Sequence, residues 1–108
     1  MKTSFQKLIN IGKKLRSPTG CPWDREQSLE HWTKYVGNEL AELKIALKNN
    51  DRENFQEELG DIFFNLVMMT VIAEEKKWFT TEKLLKGIAK KIIRRHTWVF
   101  GKDKAKTA

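Results

Sequence analysis

The stretch Glu57-Glu-Leu-Gly-Asp-Ile-Phe-Phe-Asn-Leu-Val-Met-Met-Thr-Val-Ile-Ala73 decides how this chain folds. It contains no proline, and nothing in it alternates at period two, so it reads as helix. Phe55, Leu59, Ile62, Leu66 and Ala73 recur at helical spacing and form a main apolar stripe. Phe64, Val67, Met68, Val71 and Ile72 lie off that stripe. A helix that is apolar over most of its circumference is covered on most sides. Four short helices enclose it poorly, so a second subunit is expected to cover part of it, most simply in a symmetric dimer, with a different partner protein as the alternative. Along one edge of the main stripe run Glu58, Asp61 and Asn65, with the two acids at i,i+3.

The preceding segment repeats the arrangement. Leu29, Trp32, Val36, Leu40, Leu43 and Leu47 make one stripe, and Glu39 and Glu42 fall along its edge, again at i,i+3. Packing the two helices antiparallel on these stripes lines both acidic edges on one cleft. Four helices are predicted in all, over 3–16, 27–49, 51–77 and 81–95. Asn49-Asn-Asp51 supplies a short connection, with Asn50 or Asp51 as the next N-cap, and Thr80 or Thr81 caps the last helix. Both prolines fall in Ser17-Pro-Thr-Gly-Cys-Pro-Trp-Asp24, which reads as a loop. The chain is expected to be one all-α domain over 1–108, with an ordered core over about 5–101 and a polar tail over 102–108.

Composition narrows the functional classes. The 108 residues carry a formal charge of +7, and the calculated pI near 9.6 asks for an anionic partner. Bases crowd both ends, from Lys2 to Arg16 and from Lys86 to Lys106, while the acids lie mostly between them. A nucleic-acid binder favours an open basic face without a carboxylate cluster, so that class is disfavoured. No apolar run is long enough for a membrane span, and the opening residues lack the apolar core of a signal peptide. The single cysteine, Cys21, cannot form an intrachain disulfide and suits a reduced cytoplasmic thiol.

Four carboxylate donors brought together suit a hard divalent cation such as Mg2+, with Mn2+ as a possible substitute. Acids beside bases then fit a phosphate ligand bridged by metal. Lys91 and Arg95 share a helix face at i,i+4 and can either hold phosphate oxygens or complement the helix dipole, with Arg94 next to them. His96 reads as a capping residue. Trp23, beside Asp24, either walls a ligand pocket or packs as an apolar anchor. Trp32 and Trp78 read as core or interface, and Glu57, Glu74 and Glu75 as solvated surface.

Four ordered motifs carry a resemblance: Gly20-Cys-Pro-Trp-Asp-Arg-Glu-Gln27, Asn38-Glu-Leu-Ala-Glu42, Glu57-Glu-Leu-Gly-Asp61 and Lys91-Ile-Ile-Arg-Arg-His-Thr-Trp-Val-Phe-Gly101. Together the chain resembles the MazG nucleoside triphosphate pyrophosphohydrolase family. The resemblance implies the all-α NTP pyrophosphatase fold: a four-helix protomer completed by dimerisation, with a tetramer also open. It implies Mg2+-dependent cleavage between the α and β phosphates of (d)NTPs, giving a monophosphate and pyrophosphate. It makes Glu39, Glu42, Glu58 and Asp61 metal ligands and catalytic groups, with Glu39 favoured to orient or deprotonate water. It points to Lys91, Arg95 and Arg94 as phosphate contacts, and leaves Trp23 and Asn65 for base, sugar or metal-bound water. Asn38 departs from the family pattern, which has glutamate there, and offers a carbonyl oxygen without charge. Family sequences also commonly continue with a further helical segment after Val-Phe-Gly, whereas this chain stops at Ala108. These departures keep an alternative in view: a catalytically weak or inactive helical module that binds nucleotide or a partner.

Overall fold

Each of the four long helices begins at a side-chain cap. Thr3, Ser28, Asp51 and Thr80 accept from the main-chain N–H groups of Gln6, His31, Asn54 and Lys83. Each cap is worth about 1 kcal/mol. The computed structural model describes residues 2–101. The expected polar tail, with Lys102, Lys104 and Lys106, lies outside the described residues. The elements are α1 (Ser4–Leu15), α2 (Pro22–Glu26), α3 (Leu29–Lys48), α4 (Arg52–Glu75), α5 (Thr81–Arg94) and α6 (Thr97–Phe100). The four predicted helices are present. The segment read as a loop is helical from Pro22 onward: Pro22 stands at the start of α2 with its φ already suited to a helix. Five residues are too few for a periodic signal, and the same is true of α6.

The centre of the fold is the α3–α4 hairpin. Its turn is three residues long and passes through Asn50 at φ 54°. Trp32 of α3 packs on Met68 and Ile72 of α4. On the adjoining face of α4, Val67 and Val71 receive Ile9 of α1. Gly12 permits the close approach of α1, because a Cβ there would stand 3.1 Å from Met68 Sδ and 3.2 Å from Val67 Cγ1. Gly20 is needed for a similar reason, since a Cβ would collide with the carbonyls of Lys14 and Leu15.

Two neighbours, rather than one, choose the buried arc of α4. Met68 and Ile72 face α3, while Val67 and Val71 face α1, so the buried side includes residues expected off the main stripe. Of that stripe, Ile62 and Ala73 are buried but Leu59 and Leu66 are exposed. Leu40 and Leu47 of α3 are exposed as well. The wheel finds periodicity correctly, but it cannot say which of several apolar arcs meets which neighbour.

The C-terminal part is different. No residue of α5 or α6 is buried. Leu84, Leu85, Ile88, Ile92 and Ile93 are all partly open to solvent. The main tie to the hairpin is Glu74, which accepts from the Thr81 N–H at 2.6 Å and from its Oγ1 at 2.8 Å. Expected as solvated surface, Glu74 instead joins the end of α4 to the start of α5, and Lys13 lies 3.4 Å away. Glu75 is likewise paired, with Arg16. The radius of gyration, 17.3 Å, exceeds the roughly 13 Å of a compact chain of this length.

Candidate functional site

The turn of the hairpin and the i,i+3 spacings bring the acidic pairs of α3 and α4 face to face. Glu39, Glu58 and Asp61 each offer a carboxylate oxygen, and these atoms lie within 4.8 Å of one another. Glu58 was expected at a stripe edge but is buried between the helices. Glu39 is partly buried, and Asp61 is open to solvent. Glu42 is exposed and stands next to Glu58 rather than within the tight group of three.

The electrostatics are those of a group awaiting positive charge. One oxygen of Glu39 and one of Glu58, both Oε2, are buried and receive no hydrogen bond from a protein donor among the described residues. A hydrogen bond shared with Glu39 raises the Glu58 pKa above the ordinary 4.5, and desolvation and the charges of Glu39 and Asp61 add to this; Glu42 acts in the opposite direction. Glu42 is raised by sharing with Glu58, by that group's charge, by desolvation and by Asp61. A buried carboxylate oxygen without a donor is costly unless a cation completes it. Two orphaned oxygens in an all-oxygen donor set therefore fit a hard divalent ion.

From Glu39 and Asp61 an open cleft of about 480 Å³ extends between α2, α3 and α4. Its far end is aromatic. Trp23 meets Trp32 edge-on at 6.1 Å between ring centroids and stacks on Tyr35 at 6.1 Å. Trp32 meets Phe64 edge-on at 5.9 Å. Trp23 remains half exposed, and Asn65 is buried on the cleft wall. The indole N–H of Trp32 has no hydrogen-bond partner among the described residues. Trp78, in contrast, is exposed beneath the Lys76 ammonium.

Several residues of this site escaped sequence reasoning, Trp32, Tyr35 and Phe64 of the aromatic wall among them, and two matter most. Asp24 is buried and lines the cleft. Its position beside Trp23 was the available signal. Arg16 holds that segment in place: its guanidinium donates to Glu75 at 2.7 and 2.8 Å and to the main-chain carbonyl of Asp24 at 2.8 Å. Arg16 thereby fixes α2 against α4, and nothing in its sequence context distinguishes it from the other N-terminal bases.

The structure does not bring the basic residues to this cleft within one chain. Lys91, Arg94 and Arg95 are exposed, and none lines it. At 100° per residue, Lys91 and Arg95 fall on the side of α5 that carries Leu84 and Ile88. His96 donates from Nδ1 to the Ile92 carbonyl at 2.7 Å, the capping role expected of it. Asn38 is exposed and does not line the cleft.

An all-helical chain with a carboxylate cluster opening into an aromatic cleft has the donor set of a candidate divalent-cation site. Residues 27–100 match the family model described as the MazG nucleotide pyrophosphohydrolase domain, and the chain belongs to that family. It is 41% identical over 97 residues to the nucleoside triphosphate pyrophosphohydrolase/pyrophosphatase MazG of Thermotoga maritima, covering 90% of this chain and 38% of that protein. It is 33% identical over 105 residues to the nucleoside triphosphate pyrophosphohydrolase of Escherichia coli, covering 96% of this chain and 40% of that one. The chain thus spans about two fifths of the length of these relatives. A crystal structure of a mazG-related protein from Thermotoga maritima superposes with a TM-score of 0.78 at 29% identity, over 92% of this chain and 85% of that one.

Proposed function

We propose that this protein is a divalent-metal-dependent nucleoside triphosphate pyrophosphohydrolase that cleaves between the α and β phosphates, releasing a monophosphate and pyrophosphate. One observation carries the reading: carboxylates of Glu39, Glu58 and Asp61 converge at the mouth of an aromatic cleft, with two buried oxygens that no donor among the described residues satisfies. The names of the relatives agree with it. Glu39, Glu58 and Asp61, with Glu42 beside them, would hold Mg2+, or Mn2+ in its place. When bound, such an ion neutralises phosphate charge and lowers the pKa of bound water.

The chain's own groups supply the rest. Glu39, whose Oε2 faces no donor, is the group to orient or deprotonate the attacking water. Trp23 stacks on the base, and Asn65 contacts sugar or ordered water. Lys91 and Arg95, with Arg94, neutralise the phosphates. They reach a cleft through a second copy of the chain, because the exposed apolar side of α5 that they share asks for a cover. A symmetric homodimer is the simplest arrangement, and a tetramer would be a pairing of such dimers. Acting in the cytoplasm, the enzyme would remove excess or non-canonical (d)NTPs. No helix among the described residues is long and apolar enough to cross a membrane.

The test is a panel of NTPs and dNTPs incubated with protein and Mg2+, with products resolved by anion exchange. Monophosphate plus pyrophosphate is the expected outcome. Diphosphate plus phosphate would place the cleavage elsewhere. Nucleotide binding without any product would favour a binding module over an enzyme.

A further inference from the structure

Asp24 has no work to do in the scheme above, yet its placement is unusual. The residue is only 8% exposed, yet its carboxylate oxygens are not among the fully buried atoms that lack a partner, so they remain open to the cleft. Among the described residues its main-chain carbonyl accepts from Arg16, but its carboxylate forms no ion pair and accepts no side-chain hydrogen bond. Nor does it belong to the tight carboxylate group of Glu39, Glu58 and Asp61. It lines the same cleft as Trp23, Trp32, Tyr35 and Phe64. The Arg16 clamp on its own carbonyl and on Glu75 holds it there.

We infer that Asp24 selects the nucleobase by accepting a hydrogen bond from an amino group on the base edge. This rests on the nucleotide reading above and deepens it. Stacked and edge-on aromatic rings provide flat apolar walls for a ring and contribute little discrimination between bases, because every base has a π-face. Discrimination must come from a polar group at the ring's rim. An ionised carboxylate only accepts hydrogen bonds. It therefore favours a 4-amino or 6-amino group, as in cytosine or adenine, and opposes the 4-oxo or 6-oxo group of uracil or hypoxanthine. Placing a carbonyl oxygen against this carboxylate leaves both acceptors unpaired, which is where binding sites discriminate most strongly. The substrates are thereby narrowed to amino-bearing bases, and deaminated nucleotides become the poorer ligands. A ribose hydroxyl is also a donor, so the same carboxylate could read the sugar instead, and the test separates the two.

The experiment uses the intact chain and non-hydrolysable α,β-methylene triphosphates with Mg2+, compared by calorimetry. Cytidine against uridine and adenosine against inosine isolate the amino-for-oxo change. Ribo against 2′-deoxy cytidine isolates the sugar hydroxyl. Wild-type protein is expected to favour each amino member by about tenfold or more. Asp24→Asn, nearly isosteric and able to donate, is expected to erase or invert that ratio while leaving the ribo-to-deoxy ratio unchanged. Circular dichroism confirms folding of the variant, and the wild-type ratios test the idea should the variant not fold. Equal wild-type affinities within each pair, or a variant that changes only the ribo-to-deoxy ratio, would overturn the inference. An amino preference in binding without turnover would count against the hydrolase reading and leave Asp24 in its role. Absence of any nucleotide binding would overturn both.

Discussion

The α3–α4 hairpin and the α5–α6 arm have similar proportions of apolar residues but opposite fates. The hairpin turns Trp32, Met68 and Ile72 inward and closes over them. The arm buries nothing, although α5 carries leucine and isoleucine at helical spacing. The hairpin also buries Glu58 and half-buries Glu39 among like charges, while Asp61 and Glu42 stay open to solvent. Packing energy from Trp32 and Met68 holds Glu39 and Glu58 at a separation their charges oppose. The difference teaches that the carboxylate cluster is built on the well-packed region, while the arm carries its cations beside an uncovered apolar side.

The sharpest way to break this comparison is Glu58→Gln. Removing one ligand charge is expected to lower turnover on the order of 1,000-fold. The same change removes like-charge crowding, so the metal-free variant is expected to melt above wild type. A loss of both activity and metal-free stability would mean that Glu58 holds the hairpin together rather than straining it.

Next comes the core beneath the site. Met68 is fully buried. Met68→Ala is expected to cost about 2–5 kcal/mol in chemical denaturation. Ile92→Ala on the arm, measured at concentrations where the protein is monomeric, is expected to cost well under about 1 kcal/mol. Similar values for the two would erase the distinction between rigid hairpin and open arm. Sedimentation at rising protein concentration sharpens the point: Ile88→Asp is expected to halve the assembled mass by placing a charge on the apolar side of α5.

A smaller effect is expected where the two regions join. Glu74 is held below its ordinary pKa chiefly by the Thr81 main-chain N–H, despite some desolvation. Glu74→Ala is expected to destabilise by about 1–2 kcal/mol and to raise amide exchange in α5 before α4.

The mildest test is pH. The Glu42 and Glu58 carboxyls have folded pKa values raised above 4.5. The unfolded chain therefore loses these protons at lower pH than the folded one. Their contribution to stability is present below 4.5 and is lost as pH rises through the raised values. Melting of the metal-free protein is expected to fall modestly from pH 4.5 toward neutrality, and added Mg2+ is expected to restore it. A rise over the same range would show the cluster to be relaxed rather than crowded.

Much of this protein was legible in its residues. Helix spans follow from periodicity and capping, because both are local: Asp51 and Thr80 cap their helices through groups three residues away. The two acidic pairs at i,i+3, joined by a three-residue turn, could be foreseen to face one another for the same reason. The resemblance to the MazG family also lies in the ordered motifs themselves, and the match over residues 27–100 bears it out. What tertiary structure alone decided involves contacts between residues far apart in the chain. It chose Val67 and Val71 for α1 over the stripe of Leu59 and Leu66. It buried Glu58 and left Glu42 outside the group of three. It set Asp24 in the cleft through Arg16 and Glu75, fifty-nine positions apart. It left Lys91 and Arg95 outside the lining of their own chain's cleft. Periodicity ranks faces by polarity, but only the arrangement of neighbours determines which face is covered, because burial is a property of the whole packed surface rather than of any one helix.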